Sequence, residues 1–249
     1  MSIRGITFDL WDTLVHDDSD EHHRAAKGLR SKRDERRHLV WEALNADAPI
    51  ELEAVILAYD AVDAAFNKVW KEHHITWPIA ERLELIVQGL NRPQPKAWDA
   101  LVHATSIMEV EMPPDIIEDC LKTLQILSKD YQLAIVSDAI VTPGMELRRL
   151  LGNHHIVDYF SAFAFSDEIG HSKPHPDMFT TVLREMKLSP GEVVHIGDRD
   201  HNDIKGAQAM GMKAILFTAT RDVDATTTSA DATCNCYPDL LDTIRNLNS

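Results

Sequence analysis

The strongest constraint on the fold is a set of short apolar runs separated by helical patterns in the second half of the chain. The runs are Leu133–Ser137, Phe160–Ser166, Val193–Ile196 and Ala214–Phe217. Between the first three, Met145–Leu151 and Asp177–Met186 repeat apolar residues every third or fourth position, and Asp203–Met210 does so after Val193–Ile196. Gly152 and Gly211 stand where the first and last of these helices would close. Short buried strands alternating with helices imply right-handed βαβ crossovers and a mainly parallel sheet, so the fold class is α/β.

The first half has a different texture. Ile3–Leu10 is another apolar run, too apolar to stand alone, and it belongs to the same sheet. Asp17–Arg37 is a dense charge run. Helical patterns follow over His38–Asn45, Glu51–Glu72 and Ile79–Leu90 and, after Pro93 and Pro95, over Trp98–Val110. The expected layout is an α/β core of residues 1–15 and 112–249, with an α-helical cap of residues 16–111 emerging after the first strand. Pro113-Pro114-Asp115 reads as the opening of a helix running to Leu127. Residues 218–233 read as a loop, and Tyr237–Leu247 as a final helix.

Charge narrows the function classes. Forty acidic residues against 25 basic ones give a net charge of -15. That disfavours broad binding to nucleic acid or an anionic membrane. It leaves small anionic substrates open, because clustered acids recruit a metal that carries the anion. No stretch has the length of a membrane helix, and Asp9 interrupts the N-terminal apolar run, which argues against a signal peptide. Cys120, Cys234 and Cys236 are too few and too unevenly spaced for a disulfide framework, which fits a cytoplasmic protein. A monomer or a homodimer is expected.

Ligands of open α/β sheets sit beyond the carboxyl ends of the strands. Those ends carry Asp9 in FDLWDTLV, Ser137 in LAIVSD, and Asp198 with Asp203 in VVHIGDRDHNDIKGAQAMGM. Lys173, in GHSKPHPDMF, follows the third run. Clustered carboxylates repel unless a cation sits among them, and Mg²⁺ suits oxygen ligands. Lys173 adds a fixed positive charge, and Ser137 offers a hydroxyl to phosphoryl oxygens. A carboxylate so placed can attack phosphorus, and water then hydrolyses the acyl-phosphate.

The order and spacing of these four motifs resemble the haloacid dehalogenase superfamily of hydrolases with a helical cap. The resemblance implies a Rossmann-like core and, for most members, phosphatase activity on a small phosphorylated metabolite. By resemblance, Asp9 is the nucleophile and a Mg²⁺ ligand, and the Trp11 backbone carbonyl, Asp198 and Asp203 complete or support the metal site. Ser137 holds the phosphoryl group, with Asp138 beside it where the family more often has Asn. Lys173 stabilises the nucleophile and the intermediate.

One departure stands out. Phosphatases of the family usually carry a second aspartate two residues after the nucleophile, as leaving-group acid; here the position is Trp11. Loss of such an acid slows a reaction by about 10²–10⁴-fold. Asp12, His16 and His201 are nearby titratable groups. Two alternatives follow: a non-catalytic relative that binds a ligand or protein, and a 2-haloacid dehalogenase, whose family members have an aromatic residue there. The retained pair Asp198 and Asp203 argues against the dehalogenase, which lacks that metal pattern. A phosphonate-cleaving relative would need a cap lysine, and Lys27, Lys32, Lys68 and Lys71 carry no distinguishing pattern. In the cap, Arg30, Arg33 and Arg37 would share a helix face, either solvated or meeting an anionic substrate, while Trp41, Trp70, Trp77 and Trp98 would pack a small helical core or line a pocket for an aromatic or apolar substrate.

Overall fold

The computed structural model describes residues 2–247. Strand β1 (Gly5–Phe8) is followed by helices α1 (Asp20–Ala26), α2 (Lys32–Asp47), α3 (Leu52–His73), α4 (Ile79–Gly89), α5 (Trp98–Ser106) and α6 (Met108–Glu111). Then come α7 (Cys120–Leu127), β2 (Gln132–Ser137), α8 (Gly144–Asn153), β3 (Phe160–Phe165), α9 (Ser166–Ile169) and α10 (Pro176–Met186). Strand β4 (Val193–Gly197) leads through a wide π-helical turn, Asp200–Lys205, into α11 (Gly206–Ala209). Strands β5 (Lys213–Phe217) and β6 (Ala232–Cys234) and helix α12 (Tyr237–Leu247) complete the order.

The six strands form one parallel sheet in the order β3-β2-β1-β4-β5-β6. The α/β, Rossmann-like expectation is met. Side chains alternate between faces because a strand repeats every two residues. Ile6, Phe8, Leu133, Ile135, Val194 and Ile196 bury on one face, against α7, α8 and α12. Ala134, Val136, Ala214 and Leu216 bury on the other, against Met178, Phe179 and Val182 of α10. Burial on both faces is why these strands read as continuous apolar runs.

The helices between β1 and α7 have a core of their own, which includes Val40, Leu44, Val55, Tyr59, Leu83, Ile86 and Leu101. Trp41 and Trp98 pack against it, and Trp77 lies beside Phe66. Both ends of the helical insertion are pinned together by Lys32. It is 3% exposed and pairs with Asp18 and Asp20 at the start of the insertion and Glu109 at its end.

Arg82 on α4 ties the insertion to the loop after β2. Its guanidinium donates to the Ile140 carbonyl at 2.7 Å and to Asp63 at 2.5 Å, over the Phe66 ring. Arg82→Met leaves both acceptors short of a donor. It should destabilise the protein by about 2–3 kcal/mol, seen as a melting temperature lower by roughly 5–10 °C. An unchanged melt would show that this contact is dispensable.

Several local readings need correction. Helix α7 starts at Cys120, not at Asp115. Residues 115–117 are held by the loop after β1: His16 N donates to Asp115 O, Ile117 N to Leu14 O, and Val15 bridges Ile116 antiparallel. Long-range pairing there overrides the Pro-Pro-Asp start signal. Gly152 lies inside α8, which ends at Asn153. The end of the expected loop, residues 232 and 233, pairs with β5 together with Cys234 as an edge strand. The charge run contains α1 and the first turns of α2. Arg30 precedes α2, and Arg37 is buried over the Tyr59 ring and paired with Asp60, so the three arginines do not form one exposed face.

Candidate active site

The site forms where β1 lies between β2 and β4. Phe8 is in register with Ile135 on one side and Ile196 on the other. Asp9 N donates to Ile196 O at 2.9 Å, so the ladder continues one residue past β1 before the chain turns. Asp9 therefore emerges at the carboxyl edge beside Ser137 and Gly197-Asp198. Lys173 comes from the loop between α9 and α10. Its Nζ lies 2.5 Å from Asp9 Oδ1 and 2.7 Å from Asp203 Oδ1.

Asp203 reaches this point because the π-helical turn folds back over Gly197. A Cβ at Gly197 would lie 2.2 Å from Asp203 Cγ, so a glycine is required by the close approach. Asp203 is fully engaged. Oδ1 accepts from Lys173 and from His195 Nε2 at 3.1 Å, and Oδ2 accepts from Arg199 N at 3.0 Å. His195 Nδ1 lies 2.8 Å from Thr7 Oγ1. An ionised carboxylate only accepts, so the Asp203 contact places a proton on Nε2. His195 was not among the site residues legible in the sequence; its strand position looked like core.

The electrostatics divide the three carboxylates. Lys173, with His195, holds Asp203 well below the usual carboxylate range against the opposing effect of burial. Asp203, Asp9 and Asp138 together hold the Lys173 ammonium above its ordinary value despite burial. Burial raises Asp9, and Lys173 opposes that rise. Asp198 is pushed up to about 8, first by burial and then by repulsion from Asp203 and Asp9.

Neither oxygen of Asp198 has a hydrogen-bond partner, although both are buried; Oδ2 forms only a longer ion pair, 3.6 Å from Arg199 Nε. A buried carboxylate without donors is costly unless something positive meets it. Asp9, Asp198 and Asp203 each place an oxygen within 4.8 Å of the others'. An all-oxygen carboxylate set of this kind fits a hard divalent cation. The Ser137 hydroxyl is likewise buried without a partner, as a group awaiting a ligand oxygen would be.

The family model for haloacid dehalogenase-like hydrolases matches residues 3–211. The chain belongs to that family. It is similar to a glyceraldehyde 3-phosphate phosphatase of Methanocaldococcus jannaschii, 25% identical over 98% of this chain and 98% of that one. It is also similar to a phosphoglycolate phosphatase of Pectobacterium atrosepticum, 26% identical over 87% of this chain and 81% of that one. Among solved structures, a HAD phosphatase from Thermococcus onnurineus superposes with a TM-score of 0.65 at 19% identity, covering 97% and 98% of the two chains. The protein is thus a haloacid dehalogenase-like hydrolase of phosphatase-like type. No helix among its described residues is long and apolar enough to cross a membrane.

A cavity of about 130 Å³ in this hydrolase is walled by the sheet edge and by the helical insertion. Asp9, Trp11, Asp138, Lys173 and Asp203 come from the sheet side; Arg36, Trp70 and Glu109 come from the helices. Trp11 donates its ring N–H to the Asp138 carbonyl at 3.2 Å. The Asp138 carboxylate accepts from Lys173 N at 2.9 Å and Asn202 Nδ2 at 3.4 Å, and its pKa is pushed up to about 6 by burial. It therefore braces the Lys173 loop.

Asp12 is not presented to the cavity. Its backbone is left-handed (φ 56°), and its Oδ1 accepts from Asp17 N at 3.2 Å. Asp17 lines the cavity instead, with a carboxyl pushed up to about 6 by desolvation and by Asp18 and Asp12. His16 and His201 are outside the lining. Arg36, Trp70, Asp17 and Glu109 carried no readable motif, because the sequence does not show which helix faces turn toward the sheet edge.

Proposed function

We propose that this hydrolase is a Mg²⁺-dependent phosphohydrolase of small phosphorylated metabolites, working through an aspartyl-phosphate on Asp9. One observation carries the reading: Asp9 lies against Lys173 while the neighbouring Asp198 carboxylate is buried without a donor. The relatives named for glyceraldehyde 3-phosphate and phosphoglycolate support a short phosphate ester as substrate. The helical insertion, residues 16–111, acts as a cap that closes over the site and excludes water.

The roles follow from the chemistry of each group. Asp9, Asp198 and the Trp11 carbonyl would hold Mg²⁺, with Asp203 in support. The ion supplies neutralising charge for the phosphoryl oxygens. Lys173 opposes the burial that disfavours the Asp9 carboxylate and offsets charge on the transferring group, and the Ser137 hydroxyl donates to a phosphoryl oxygen. An Asp9 oxygen forms a bond to phosphorus while the ester P–O bond breaks and the alkoxide leaves. Water then attacks phosphorus, the Asp9 O–P bond breaks, and inorganic phosphate departs. With Trp11 in place of the usual acid, the alkoxide leaves poorly. Aryl and acyl phosphates, which need no proton, are the faster substrates.

Release of inorganic phosphate from a panel of phosphate esters, with and without a chelator, tests this reading. Metal-dependent turnover is expected; ligand binding without turnover would favour a non-catalytic relative. Halide release that survives chelation would favour the dehalogenase chemistry that an aromatic residue at Trp11 invites.

Mg²⁺ should also stabilise the fold. Asp198 has a folded pKa above its ordinary value, so metal-free stability falls as pH rises from about 4 towards 8, where folded Asp198 finally ionises. Cation binding reverses that loss, most fully near pH 8. Saturating Mg²⁺ at pH 8 should raise the melting temperature by roughly 5–10 °C. The shift should shrink towards pH 5 and vanish in Asp198→Asn. Equal melting with and without Mg²⁺ at pH 8 would count against the metal site.

A further inference from the structure

The Asp198 carboxylate has no hydrogen-bond donor to aim it. Its contact with Arg199 Nε, 3.6 Å away, is too long for a hydrogen bond and comes from a half-exposed side chain. A donor on those oxygens would compete with a cation for them. A donor on the main chain fixes the residue and leaves the oxygens free.

The main chain beside Asp198 is gripped by the connection between β5 and β6. Arg221 Nη1 donates to Asp198 O at 3.0 Å and to Asp224 Oδ2 at 2.6 Å. Asp224 Oδ2 also accepts from Asp200 N at 3.2 Å. One Arg–Asp pair therefore holds the carbonyl of residue 198 and the N–H of residue 200. The peptide units on either side of Arg199 lose their freedom to rotate. The guanidinium keeps the Asp224 carboxyl below its usual range, so the pair is ionised and charge-balanced. The same connection holds the side chain of Asp200, whose Oδ1 accepts from Thr228 Oγ1 at 2.7 Å and Ser229 N at 3.3 Å. It reaches the turn after β1 as well, where Thr220 Oγ1 donates to Asp12 O at 2.6 Å, one residue past the Trp11 carbonyl. A segment that reads in the sequence as a plain Thr-, Ala- and Asp-rich loop thus braces both turns of the candidate metal site.

We propose that Arg221, locked by Asp224, is a positioning residue of the metal site: by holding the Asp198 carbonyl it aims the Asp198 carboxylate at the point shared with Asp9 and Asp203. Arg221 does not line the cavity, so it acts through Asp198 and not on the substrate. The inference rests on the Mg²⁺-dependent reading and adds to it a residue outside the four motifs. Outer partners of this kind orient the groups that ligate a metal, and their loss typically weakens binding by about 10- to 100-fold.

Charge and positioning make opposite claims about Arg221. A cation near three carboxylates repels Mg²⁺, so its removal on charge alone tightens binding. Removal of a positioning residue weakens it. Calorimetric titration of Mg²⁺ into the metal-free protein at pH 8 reads the sign without any turnover. Arg221→Met should bind Mg²⁺ about 10-fold more weakly than wild type. Arg82→Met, which loosens the fold at the helical insertion, should bind it as wild type does. Arg221→Gln carries the same expectation should Arg221→Met fail to fold. Binding in the Arg221 variant as tight as in wild type or tighter, or an equal loss in Arg82→Met, would overturn the positioning role and leave the metal site standing. Wild type that takes up no Mg²⁺ would overturn the metal site and the positioning role together.

Discussion

Asp9→Asn should lower Mg²⁺-dependent phosphate release by about 10³-fold or more. An amide oxygen is a poor nucleophile towards phosphorus, and no other carboxylate in the site can take its place. Asp203 is tied to Lys173, His195 and Arg199 N, and Asp198 sits one strand away with neither oxygen hydrogen-bonded. The fold should survive the change. Lys173 keeps its bond to Asp203, and removing one negative charge relieves the repulsion that raises Asp198. The metal-free variant should therefore melt no lower than wild type. Phosphate release assayed beside a melting curve separates loss of chemistry from loss of structure. Retained activity in a well-folded variant would remove Asp9 from its role.

Trp11→Asp is expected to act in the opposite direction. A carboxylic acid at this position faces the cavity that Asp9 lines, and it can protonate an alkoxide as the ester bond breaks. Turnover of alkyl phosphates should rise by about 10²-fold, the lower end of what general acid catalysis contributes. Aryl phosphates, with leaving groups that need no proton, should change little. The variant loses the ring N–H bond to Asp138 and a half-buried aromatic contact, so it should melt lower and is best assayed well below its transition. Alkyl and aryl phosphates responding alike would mean that proton transfer is not what limits the native enzyme. Asp17, whose carboxyl lines the same cavity, would then be the group to replace next.

Motif residues were legible because the fold forces them to one place. Asp9, Ser137 and Asp198 each directly follow an apolar run, and parallel strands deliver all their carboxyl ends to the same edge. Once the alternation of strands and helices was read, their convergence followed without further information. Lys173 was legible only through its motif, since nothing in a loop's composition says which way a lysine points. The helical wall was not legible. The four cap tryptophans could pack a small core or line a pocket, and the sequence did not say which does which: Trp70 lines the cavity, while Trp41 and Trp98 pack the core. Arg36 sat inside a dense charge run with no pattern that singled it out.

Asp138 and the start of α7 show the same limit at closer range. An aspartate after Ser137 could add charge at the cavity mouth or hydrogen-bond to a loop, and the sequence does not choose between them. In the structure its oxygens are occupied by Lys173 N and Asn202, two residues remote in sequence. The Pro-Pro-Asp signal was overridden by backbone pairing with Leu14 and His16, about a hundred positions earlier.

The sequence by itself determined the α/β class, the parallel sheet, the helical insertion and the carboxylates that gather at its edge. These depend on periodicity and on strand ends, which are local patterns with one global solution. Only the tertiary structure decided that Asp203 folds back over Gly197 onto Lys173, that Asp198 is left without a hydrogen-bond donor, and that Arg36 and Trp70 line the cavity. Those outcomes depend on which buried polar groups find partners, and partners are assigned by packing between segments distant along the chain.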